Sequence, residues 1–130
     1  MTLEHRQRQS ILVLEDIEET GQLIEKMLKG NGYGVTVART EEDAIFRCRF
    51  QPPNLILMSL GLGPEGLLAT AHRIRRQADL SQEVAFVIFC VPTIPQGAAV
   101  EVDKNVYLTR PDNFNQLRDL LHRLLCRIAT

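Results

Sequence analysis

Chemistry in this sequence would have to come from a few short clusters. An apolar run, Ile11–Leu14, ends on the acid pair Glu15-Asp16. A second run, Leu55–Met58, ends on Ser59, a third closes at Cys90-Val91, and another ends on Thr109-Arg110-Pro111. Two adjacent carboxylates can hold a hard cation, because Mg²⁺ keeps several waters and often needs only one or two of them. A serine hydroxyl is a weak nucleophile unless a general base takes its proton. His5, His72 and His122 fall in the N-terminal segment or on helical stretches, away from these clusters. Cys90 offers a thiol, although free cysteine is commonly a small buried hydrophobe. Arg110 offers a planar fork that grips a carboxylate bidentately. It is expected to lean towards Glu15 or Asp16 and to occupy space a cation would use.

These clusters need elements to position them. The runs Ile11–Leu14, Val35–Ala38, Leu55–Met58, Val84–Val91 and Val106–Leu108 are too short for helices. Several are rich in Val and Ile, as strands buried on both faces should be. Helical patterns lie between them. Residues 18–30 carry Leu23, Ile24, Met27 and Leu28, Thr40 opens a second helix as a cap, and Leu67, Ala71, Ile74 and Ala78 mark a third. The last helix bears an apolar stripe from Phe114 to Ile128. Pro92, Pro95 and Gly97 leave the fourth helix short or irregular, a turn or two over Gly97–Val102. Serial βα units predict an α/β fold, a flavodoxin-like doubly wound sheet of five parallel strands in the order 2-1-3-4-5 with helices on both faces. Sites in such folds collect outside the carboxyl ends of the strands, where the clusters above fall. Residues 1–9 read as a tail and residues 10–130 as one domain.

Composition narrows the function classes. Among 130 residues, fifteen Lys and Arg against sixteen Asp and Glu leave a net charge of −1, with 45% hydrophobic and 24% charged residues. Such a balance excludes disorder and a general nucleic-acid-binding surface. Three cysteines, Cys48, Cys90 and Cys126, lack the paired spacing of a disulfide framework or zinc site. No apolar run is long enough to span a membrane and the N-terminus is polar, so a cytoplasmic location is expected.

The segments ILVLEDIEE, PNLILMSLGL and VYLTRP resemble the signature segments of response-regulator receiver domains in two-component signalling, over roughly residues 10–128. The resemblance implies a phosphoryl group moved from a histidine kinase onto an Asp after the third strand. It also implies Mg²⁺ at an acid pair, and a Thr or Ser, an aromatic and a Lys that read the phosphate. Carried over, the metal positions are Glu15, Asp16 and Gly61, and the aromatic is Tyr107. The acceptor position, however, is Ser59, the Thr/Ser position is Cys90 and the Lys is Arg110. Glu65-Gly66 also fall one residue early.

Aspartyl phosphorylation at the usual position is thus chemically excluded, and Mg²⁺ is expected to bind weakly or not at all. The expectation is a degenerate receiver, not an enzyme and needing no cofactor, that meets other signalling proteins without phosphorylation. The shortened region Val91–Asn105 and the last helix would present the partner surface, with a homodimer through the fifth strand and last helix as one form of it. The alternative is a weak metal-binding, redox or serine-modified domain using Ser59 or Cys90. The basic cluster His72-Arg73-Ile74-Arg75-Arg76 is read as a solvated helix face, not a nucleic-acid site.

Overall fold

The computed structural model describes residues 9–89 and 92–129. The chain runs β1 (Ser10–Glu15), α1 (Glu18–Gly30), β2 (Gly34–Ala38), α2 (Glu41–Phe50), β3 (Leu55–Ser59), α3 (Pro64–Gln77), β4 (Ala85–Phe89), β5 (Ala99–Asp103), β6 (Val106–Thr109) and α4 (Phe114–Ala129). The strands form one sheet in the order β2-β1-β3-β4-β6-β5.

Alternation along the strands divides the core in two. Leu12, Leu14, Ile56, Met58, Phe86 and Ile88 pack in one layer with Ala44, Cys48, Ala71 and Ile74 of α2 and α3. Ile11, Val13, Leu55, Leu57 and Val87 face the other way, onto Ile24 and Leu28 of α1 and the Leu117–Leu125 stripe of α4. In-register parallel pairing, such as Leu12 with Ile56 and Ile56 with Phe86, keeps each layer continuous. At α2 the Thr40 hydroxyl accepts from the Asp43 amide at 3.0 Å, the cap expected from its sequence. Such a cap contributes about 1 kcal/mol.

The expected fourth helix is absent from the described residues. The sheet has six strands, not five, and its order departs from 2-1-3-4-5 by one strand added at the edge. In place of the helix, β5 runs antiparallel to β6, with Val100 opposite Leu108 and Glu101 opposite Tyr107. The reasons are local. Pro95 and Gly97 fall where the interior of a helix would lie and disfavour it, and the alternation Val100-Glu101-Val102-Asp103 suits a strand. Asn105 takes the left-handed conformation (φ 58°) that closes a tight hairpin and that Asn tolerates better than most residues.

Two further expectations about faces need correcting. Leu23 is 58% exposed, because the buried stripe of α1 passes through Gly21, Ile24 and Leu28. Leu120, Leu121, Leu124 and Leu125 are all buried, so these four leucines of α4 are core and not surplus apolar surface.

Candidate functional site at the carboxyl edge

Glu15 closes β1 opposite Ser59, the last residue of β3. Its alternation with Val13 turns it towards α1, where Gly21 permits the approach. A Cβ on Gly21 would stand 3.6 Å from Glu15 Cγ and 3.2 Å from Val37 Cγ1. The Glu15 side chain is 2% exposed, and its Oε2 accepts from the Ile17 amide at 3.0 Å. Half of this carboxylate is therefore spent on its own turn. Asp16 is exposed at the start of that turn. Its backbone carbonyl accepts from Arg39 Nη2 at 3.2 Å, while Arg39 Nη1 lies 3.7 Å from Glu18. Glu15, Glu18, Gln22, Glu25, Val37 and Arg39 together line a small acidic recess beside β1. Arg39 was not anticipated, although its place just after β2 could have pointed to this edge.

Ser59 is partly buried, and among the described residues its hydroxyl has no hydrogen bond to an acid or imidazole. Among the described residues no hydrogen-bonded base activates it, as a serine nucleophile requires. The oxygens at the end of β1 are the exposed Asp16 carboxylate and the remaining oxygen of Glu15, with Glu18 and Glu25 further along the recess. Mg²⁺ keeps several waters and is often bound through only one or two carboxylates. Gly61 lies exposed in the loop after β3, and no group of three or more metal-ligating side chains occurs among the described residues.

Arg110 corrects an expectation. It makes no ion pair with Glu15, Asp16 or any other carboxylate among the described residues. Its Nη1 instead donates to the carbonyls of Pro92 at 3.3 Å and Ile94 at 3.1 Å. The cause is the proline-rich loop: outside a helix or strand its carbonyls lack regular donors, and a guanidinium supplies several in a fixed geometry. The Arg110 backbone completes the clasp, its amide donating to Ala98 O at 2.9 Å and its carbonyl accepting from Gly97 N. Thr109, buried at 2%, adds Oγ1 to Ala98 O at 3.3 Å. Thr109 was named in the sequence only as part of its strand-end cluster, with no role of its own. Its polarity at a strand end carries no signal until β5 is seen beside it.

Tyr107 lies buried on β6 in the layer beneath α1 and α4. Cys90, with Val91, falls outside the described residues. The basic cluster on α3 is committed to local partners. Arg73 grips Glu41 through Nε at 2.6 Å and Nη2 at 2.8 Å, which holds the Glu41 carboxyl below its ordinary pKa. Arg75 lies over the Phe86 ring at 4.7 Å, and His72 Nε2 stands 3.1 Å from Asp103. Ile74 is core.

Comparison with known proteins agrees with this geometry. No family model matches the chain. The transcriptional regulatory protein KdpE of Staphylococcus aureus is 32% identical over 119 residues, 92% of this chain and 50% of that protein. The chain spans about half the length of the curated relatives it matches. Among solved structures, the N-terminal domain of a response regulator/sensory box/GGDEF 3-domain protein from Carboxydothermus hydrogenoformans is 27% identical with a TM-score of 0.69, covering 93% of this chain and 97% of that one. A CheY-like response regulator receiver domain from Methylobacillus flagellatus superposes with a TM-score of 0.71 at 15% identity, covering 91% and 99%. No helix among the described residues is long and apolar enough to cross a membrane. Sequence similarity and fold together support a response-regulator receiver domain of the CheY-like type.

Proposed function

We propose that this receiver signals by binding protein partners without being phosphorylated on aspartate. The observation that carries the reading is Ser59 at the end of β3, where the carboxyl edge would need an acceptor carboxylate. A carboxylate is ionised at neutral pH and can attack phosphorus directly, whereas among the described residues this hydroxyl is hydrogen-bonded to no base. Arg110 supports the same reading, since its guanidinium is committed to loop carbonyls rather than to the acid edge.

In this reading the site needs neither Mg²⁺ nor another cofactor, catalyses no reaction and works in the cytoplasm. Its partners are other signalling proteins, not nucleic acid or membrane. Transcriptional regulation, the role named for the curated relatives, would belong to the whole protein of which a receiver is one part. The test is intact-mass measurement after incubation with Mg²⁺ and acetyl phosphate. An unchanged mass is expected, and a hydroxylamine-labile phosphoryl adduct overturns the proposal.

A further inference from the structure

The sheet ends on β5, and all five residues of that strand are exposed. The Arg110 amide donates to the Ala98 carbonyl, and Val100 stands opposite Leu108. Antiparallel alternation then turns the N–H and C=O of Ala99 and Glu101 to the open side. Unpaired backbone groups in a row form a template for another extended chain. Side chains can add grip, for Val100 and Val102 are 42% and 43% exposed.

We infer that β5 is a docking edge for an extended segment of a partner protein in which β-branched and basic residues alternate. Charge selects this occupant over a second copy of the chain. The only charged residues of β5 are Glu101 and Asp103, both acidic, and Asp112 lies beside Gly97 at the start of the strand. Two copies paired along this edge would set two acidic strands side by side, and their shared negative field opposes pairing. Lys or Arg on an incoming strand would be attracted. His72 compensates Asp103 from α3, while among the described residues the Glu101 side chain bonds the Asn105 amide of its own turn. The bulge between Glu101 and Asp103 limits regular pairing to the Ala99–Glu101 half, which keeps the edge selective. The inference rests on the reading of the chain as a protein-binding receiver.

The test selects displayed random peptides of about six residues, an ordinary strand length, against the whole chain. Bound peptides are then mapped by amide shifts on the labelled protein. Expected are peptides alternating Val, Ile or Thr with Lys or Arg, and saturable shifts at Ala99 and Glu101. Glu101→Arg is expected to weaken them about tenfold by reversing the attraction. Glu101→Pro, which removes an outward N–H, is expected to abolish binding. If either variant disturbs the hairpin, the amide map of the unaltered chain decides alone. The inference is overturned by peptides without basic alternation, by shifts centred on the exposed Phe46 and Phe50 of α2, or by a dimer formed through β5. Phosphorylation by acetyl phosphate would defeat the functional reading and leave the peptide result standing, so the two failures are distinguishable.

Discussion

The five parallel strands and the β5 hairpin are held by different physics. In the parallel body, Leu57, Ile56, Val87 and Phe86 are completely buried, and removal of apolar surface from water fixes the fold. β5 has no buried residue at all. It is held by its ladder to β6, by the Arg110 and Thr109 bonds to the loop and by the Asp103–His72 contact. A region built on directional bonds and turn geometry can change its edge without disturbing the core. That separation is what a binding surface on a stable domain requires.

The contrast can be broken most severely in the body. Phe86→Ala removes a fully buried ring over which Arg75 also stacks, and a loss of about 3–5 kcal/mol in urea unfolding is expected. Val100→Ala on β5 should cost no more than about 0.5 kcal/mol, as at other surface sites. Comparable losses at the two positions would contradict the division.

Next in size is Arg110→Met, which leaves the Pro92 and Ile94 carbonyls without their guanidinium donor. Roughly 1–2 kcal/mol is expected. Hydrogen exchange should place it in residues 97–103, with β1 and β3 unchanged. Exchange rising equally at Leu12 and Leu57 would show that Arg110 supports the body instead. Asn105→Ala keeps the length of the turn but puts a less tolerant residue at φ 58°, at a cost of about 1 kcal/mol. Asn105→Gly should reverse the sign.

The smallest effect concerns pH. Arg73 depresses the pKa of Glu41, chiefly through their hydrogen bonds. A depressed folded-state pKa contributes stability that is present above the ordinary glutamate range and is lost as pH falls through the folded value. Arg73→Gln should raise the Glu41 pKa in a carbon-detected titration and flatten that acid-side loss. Cys48 provides a companion reading of the body. Burial pushes its thiol up to about 11, so it should react with a thiol reagent only on unfolding, while exposed Cys126 reacts at once.

Most of the body was legible in the sequence because burial leaves a pattern. Ile11–Leu14 and Leu55–Met58 read as strands from composition alone, and Thr40 announced α2. The acid pair and Ser59 could be placed because the fold puts strand ends at one edge. β5 was not legible. Its Val-Glu-Val-Asp alternation suits a strand but is too short to decide alone, and the strand depends on a turn at Asn105 and a clasp from Arg110. The direction of Arg110 failed for the same reason. Sequence shows that a guanidinium has donors, but the carbonyls of Pro92 and Ile94 become acceptors only once the loop has formed.

The central claim is that the carboxyl edge keeps the receiver fold without the acceptor chemistry. It is tested most directly by titrating the labelled chain with Mg²⁺ and beryllofluoride while following the amides of Glu15, Asp16, Ser59, Gly61 and Thr109. No saturable change at these positions is predicted. A tight, Mg²⁺-dependent shift centred on Ser59 and Asp16 would contradict it.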